Sequence, residues 1–349
     1  MQADTMATVL RIFMGIRHAF TVTTLSLALA LPVTALTAGF SDVPASSALF
    51  PATEYLKSAG IIQTVDKFNP DGKLTRAQAA KVLVAPLVSI EELSKITASQ
   101  FSDIPAGQWF TSYVEAARIM GLVDSAAKFN PNAPVTKSAF MKMLLKSKKM
   151  DYASAFSDFT DPLSVDVPNA TDWFYPVMRF SLASSMTAVS QDGRLNPSQE
   201  ITCGQMAFYY YRLDMYTAGR RTQALLSQAE TDIGNVLQML DQKDMQQAKW
   251  ASARAVITAR GALASKPNEA IVKGAMKISE GFNSLVLAYK AGVEGNLDAA
   301  INYAKEAYAS AEKAKAFSPG LTAIATQMQT IGKNMADEAR AMKAQPAAQ

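Results

Sequence analysis

Two cations stand at matching places in this 349-residue chain, Arg76 directly after Thr75 and Lys137 directly after Thr136. Each threonine opens a segment with helical periodicity: Ala79, Ala80, Val82 and Leu83 follow the first, and Phe140, Met143 and Leu144 the second. A cation in a first helical turn faces the positive end of the helix dipole, an unfavourable placement worth about 0.3 kcal/mol. An anion would offset that cost, because backbone N–H groups at the helix start can donate to a carboxylate while a guanidinium clamps it in two places. Lys137 can supply only a point charge. The alternative is that both side chains reach solvent or pair with a nearby carboxylate. A third threonine, Thr202, is followed by the uncharged Cys203. Thr75 with Gln78, and Thr202 with Gln205, have the spacing of a capping box, whereas Thr136 is followed by Ser138 and Ala139 and has none.

Other reactive types are scarce. Asp42, Asp103 and Asp158 each follow Phe-Ser, and an Asp that leads into Val/Ile-Pro or a loop reads as a turn former rather than a catalytic acid. Trp109 and Trp173 either stack on sugar rings or fill the core beside a helix. Cys203 is the only cysteine, which excludes an internal disulfide. His18 is the only histidine, and it lies in an N-terminal segment that reads as removable, so a histidine triad or zinc site is not expected, nor is any cofactor. The formal charge of +4 shows no concentrated basic stripe and argues against nucleic acid as a partner.

The elements that position these residues repeat. Phe40-Ser41-Asp42 precedes Phe68-Asn69-Pro70 by 28 positions, and Phe101-Ser102-Asp103 precedes Phe129-Asn130-Pro131 by the same 28. Phe156-Ser157-Asp158 starts the third copy, with 39 positions to Leu195 and an inserted Pro/Asp/Asn loop at residues 162–171. Thr75, Thr136 and Thr202 each fall five residues after the proline of an Asn-Pro turn. Each copy reads as helix, turn, helix, and units of this size bury their faces against one another. The expected fold is mainly α.

The shared Phe-x-Asp-Val/Ile-Pro, the helix end Gly60-Ile61-Ile62 or Gly121-Leu122-Val123, the Phe-x-Pro turn and Leu74-Thr75-Arg76-Ala77-Gln78 resemble the S-layer homology domain family. The resemblance implies three repeats, at residues 40–95, 101–148 and 156–213, in one pseudo-threefold body. It implies grooves between repeats that bind a cell-wall polysaccharide, in many members one with an acidic pyruvyl group, or modified peptidoglycan. Thr75, Arg76, Gln78, Thr136, Lys137, Trp109 and Trp173 are then the expected glycan-binding residues. Cys203 departs from the pattern where a cation belongs, so three equal grooves are not expected.

The ends differ from this core. Residues 19–41 carry no charged side chain and follow Arg11 and Arg17, which reads as a signal peptide over residues 1–38, or as an uncleaved membrane anchor. Residues 214–349 are rich in Ala, Gln, Lys, Met and Glu and should form about five helices. Shifting this part by 52 positions superposes Ala248 on Ala300, Ala255 on Ala307 and Pro267 on Pro319, and residues 292–319 are similar to a tetratricopeptide hairpin. A plain helical bundle is the alternative. The expected role is anchoring of an exported protein at the cell surface, with residues 214–349 meeting another surface protein or a second copy. A wall-targeted enzyme of the carboxylate-pair type and a lattice subunit are the alternatives.

Overall fold

The computed structural model describes residues 39–63 and 65–344, so the expected signal segment lies outside the described residues. The fold is almost entirely α-helical, and β pairing among the described residues is limited to isolated bridges. Three pairs of short helices come first: α1 (Phe50–Ser58) with α2 (Arg76–Val84), α4 (Thr111–Ile119) with α5 (Lys137–Ser147), and α6 (Tyr175–Ala183) with α7 (Cys203–Thr217). A one-turn helix α3 (Ile90–Ser94) links the first two pairs. Five long helices follow, α8 (Thr222–Asp241), α9 (Met245–Ser265), α10 (Ala270–Val293), α11 (Leu297–Phe317) and α12 (Thr322–Ala344).

The three pairs close on themselves through backbone bonds. Leu74 N–H donates to Ile201, Ile201 to Val135 and Val135 to Leu74, at 3.0, 3.1 and 2.9 Å, a three-membered ring around one axis. These three side chains are buried at its centre. Each Asn-Pro turn is reached in the same way, with Asn69, Asn130 and Asn196 all at positive φ, between 52° and 57°. Asparagine tolerates this left-handed conformation because its short amide can bond locally.

An aspartate pins each turn from inside its own pair. Asp42 accepts the N–H groups of Phe68 and Asn69 at 2.8 and 2.7 Å, and Asp103 those of Phe129 and Asn130, both at 2.7 Å. In the third pair the same role falls to Asp166, which accepts from Leu195 and Asn196 at 3.0 and 2.7 Å. This corrects the assignment of Asp158. Asp158 instead pairs with Arg260 on α9 at 2.6 Å. The equivalent segment is Ser164-Val165-Asp166-Val167-Pro168, whose Val167 is buried like Val43 and Ile104, so most of the added residues precede this motif, while Asp166 still stands 30 positions before Asn196 against 27 in the other two pairs.

The added segment and α6 hold the helical half. Arg254 on α9 forms a buried ion pair with Asp232 on α8 at 3.0 Å and donates to the Leu163 carbonyl at 3.1 Å. Gly261 on α9 approaches α6 so closely that an added Cβ would stand 1.7 Å from the Ala183 carbonyl oxygen. One continuous apolar core therefore runs from the helix pairs into α8, α9 and α10. A second core joins α8 to α12. The 52-residue offset appears in the helix bounds: α9 spans 245–265 and α11 spans 297–317. Their N-caps match too, with Asp244 accepting from Gln247 N–H and Asn296 from Ala299 N–H.

Candidate functional site

The helix N-termini of α2, α5 and α7 each meet the turn of another helix pair. Arg76 N–H donates to Ala133 and Ala77 N–H to Pro131, at 2.9 and 3.0 Å. Lys137 and Ser138 donate to Gln199 and Pro197, and Cys203 and Gly204 to Gly72 and Pro70. The third donor of α2, Gln78 N–H, goes to the Thr75 hydroxyl in the expected capping box, which Thr202 and Gln205 repeat. Thr136 makes no side-chain cap. The sequence argument for an anion held by first-turn N–H groups therefore needs correction, because ring closure already uses those donors.

The two cations serve the same closure. Arg76 Nε donates to the Phe129 carbonyl at 2.7 Å, and its guanidinium lies 4.7 Å from the Phe129 ring centroid. Its terminal nitrogens make no hydrogen bond among the described residues, and the residue is half-buried. Lys137 Nζ donates to the Leu195 carbonyl at 2.7 Å and is only 6% exposed. Burial pushes its ammonium down to about 8, with Asp166 opposing and Arg212 adding to the shift. The expectation of Lys137 as a surface point charge is thus corrected: its charge is spent inside. At the third position burial pushes the Cys203 thiol up, as for a half-buried thiol.

Both tryptophans are exposed, Trp109 at 53% and Trp173 at 56%, and each stands edge-on to the following phenylalanine. A lysine lies over each indole, Lys81 at 5.7 Å from Trp109 and Lys142 at 5.5 Å from Trp173. In the first of these arrangements Lys81 also lies 5.9 Å from the Tyr113 ring centroid. In the second, Lys142 is tied to Asp124 at 3.0 Å, which also takes Lys146 at 3.3 Å. The third offers Ala48, Cys203 and Phe208 at the corresponding positions. Lys81 and Lys142 were not anticipated, although each falls five residues after Arg76 or Lys137, a recurrence visible in the sequence.

An indole face beside an ammonium can hold a sugar ring by stacking and an acidic substituent by charge. Among the described residues no cluster of metal-ligating side chains occurs.

Comparison with known proteins agrees with this construction. The S-layer homology domain family matches residues 39–80 and 100–141, which reach from the start of each of the first two helix pairs into its second helix. Over 123 residues the chain is 30% identical to S-layer protein sap of Bacillus anthracis, a match covering 34% of this chain and 15% of that protein. An S-layer protein of Bacillus thuringiensis subsp. finitimus gives the same figures. A surface-layer 125 kDa protein of Lysinibacillus sphaericus is 27% identical over 168 residues, 46% of this chain and 14% of that protein. The matched part is therefore about one seventh of the length of these curated relatives. The similarity supports an exported, cell-envelope location. This chain carries an N-terminal S-layer homology domain, similar to those of bacterial S-layer proteins.

Proposed function

We propose that this protein is held non-covalently at the bacterial cell surface by an acidic wall polysaccharide or modified peptidoglycan seated in the groove between its first two helix pairs. The observation that carries this reading is the pairing of the exposed Trp109 with Lys81, on the helix that Arg76 opens. The second groove repeats the pairing with Trp173 and Lys142, but its lysine is shared with Asp124 and its helix-opening cation is buried, so it is the weaker site. The third helix pair is read as a diverged S-layer homology repeat that completes the ring and has lost its groove. Thr75 and Gln78 shape the helix start, and Thr136 does so without a side-chain bond.

The reading is of a binding protein rather than an enzyme. Asp42, Asp103 and Asp166 are engaged by backbone donors, as turn formers are. Residues 1–38 serve, on this reading, as an export signal. The two helical hairpins offset by 52 residues then present a surface to another protein or to a second copy. Residues 39–344 should sediment with isolated wall and lose that property on wall stripped of its acidic polysaccharide. Equal sedimentation with both would exclude the polysaccharide as ligand. Light scattering separates an adaptor from a lattice subunit, which should assemble without wall.

A further inference from the structure

A cleft of about 320 Å³, open to solvent, lies between the end of α6 and the flank of α8. None of Arg76, Lys81, Trp109, Lys142 and Trp173 lines it. Two arginines border it, Arg212 on α7 and Arg221 at the start of α8. Arg212 Nη1 donates to the Met186 carbonyl at 3.2 Å, and Arg221 Nη2 donates to the Ser185 hydroxyl at 2.7 Å. Arg221 Nε is buried and has no hydrogen-bond partner. The two guanidinium groups repel each other, and Lys137 adds to the positive field on Arg212. Neither arginine has an ion-pair partner among the described residues. Asp232, the buried carboxylate of α8, is spent on Arg254 and on the amide of Gln228.

Desolvating two like charges without a counterion is costly, and a buried unpaired donor adds to the cost. The local backbone carries a further sign. Gly60 and Gly121 end the first helix of the first two pairs at positive φ, whereas the third pair places Ser185 there at φ 57°. A side chain in that conformation is strained, and here its hydroxyl is what Arg221 holds. Thr187, Ser227 and Thr231 add further hydroxyls to the lining.

We propose that this cleft binds an oxyanion, the carboxylate or phosphate of a small hydroxyl-bearing acid. The arginines clamp the charged group and the hydroxyl lining receives the body of the ligand. The site is independent of the wall-binding groove.

Isothermal titration of residues 39–344 at low ionic strength tests it, with glucuronate and inorganic phosphate as probes and glucose as the neutral control. One saturable site for glucuronate identifies a carboxylate ligand, one for phosphate a phosphoryl ligand, and either supports the proposal if glucose gives no heat of binding. Arg221→Gln should weaken the Kd at least tenfold. Ser227→Asp, which brings a carboxylate to the cleft from an exposed helical position, should do the same while leaving the fold intact. Trp109→Ala should leave it unchanged. Absence of saturable binding by both probes, or equal affinity in the wild type and Ser227→Asp, would overturn the proposal.

Discussion

Arg76 on α2 caps the turn of the next helix pair: its Nε lies 2.7 Å from the Phe129 carbonyl oxygen, and its guanidinium lies over the Phe129 ring. The side chain therefore joins two helix pairs. Arg76→Ala should cost stability as well as binding, about 1.5–3 kcal/mol for a hydrogen bond to a charged group. Urea denaturation of residues 39–344 measures this. An unchanged midpoint would mean that the guanidinium does not join the two pairs.

Asp42, Asp103 and Asp166 should prove equivalent, and Asp158 should not. Each of the three holds two backbone donors, so replacement by alanine should cost about 1–2 kcal/mol. Desolvation pushes the Asp42 and Asp103 carboxyls up, and the paired backbone bonds more than reverse it, leaving both below the ordinary carboxylate range. A depressed carboxyl contributes stability that is present above its unfolded pKa and lost as pH falls through the folded value. Wild type should therefore lose stability below about pH 4, the unfolded range of Asp, and the Asp42→Ala and Asp103→Ala variants should lose less over the same interval. Asp158→Ala, which removes a largely exposed ion pair with Arg260, should cost about 1 kcal/mol or less.

Lys137 should make the protein more stable in mild alkali. Burial lowers its ammonium to about 8, so between that value and its unfolded value of about 10.4 the unfolded chain binds more protons, and stability rises with pH. The gain between pH 8 and 9.5 should be about 1–2 kcal/mol. Lys137→Met should flatten the profile in that window, as read from denaturation midpoints at fixed ionic strength. A wild-type profile already flat there would contradict the burial of the charge. The upper limit matters because burial also pushes Tyr209 up to about 12, and its loss of a proton opposes the trend at higher pH.

The helical half should unfold with the helix pairs in one transition, since a common core and the Arg254–Asp232 pair join them. Only 5% and 1% of these two side chains are exposed, and burial pushes the Asp232 carboxyl up, with Arg254 opposing. Asp232→Ala would leave Arg254 uncompensated and should cost about 3–5 kcal/mol. Calorimetry showing two separate transitions in the wild type would refute the single body.

Local signals in the sequence were good guides where the physics is local. The Thr75/Gln78 and Thr202/Gln205 boxes form and the Thr136 helix lacks one, because caps depend on residues three apart. The 52-residue offset, carried mostly by alanines, reappears as matching bounds of α9 and α11. The third copy was misplaced because Phe156-Ser157-Asp158 copies the words of the motif, while Asp166-Val167-Pro168 keeps its function: a carboxylate facing the turn and a buried valine. Ring closure joins residues more than fifty positions apart, so the use of the helix-start donors and the burial of Lys137 were not visible. The exposure of Trp109 and Trp173 was equally a tertiary outcome, since helical spacing alone allows a core or a groove position.

Co-sedimentation of residues 39–344 with isolated cell wall, comparing the wild type with the double variant Lys81→Ala, Trp109→Ala, probes the groove without touching the Arg76 closure. The double variant should keep the wild-type denaturation midpoint to within about 1 kcal/mol, as for exposed side chains. Its affinity for wall should fall tenfold or more, as loss of about 1.4 kcal/mol or more of stacking and charge requires. Unchanged wall affinity in a folded double variant would contradict the assignment of this groove.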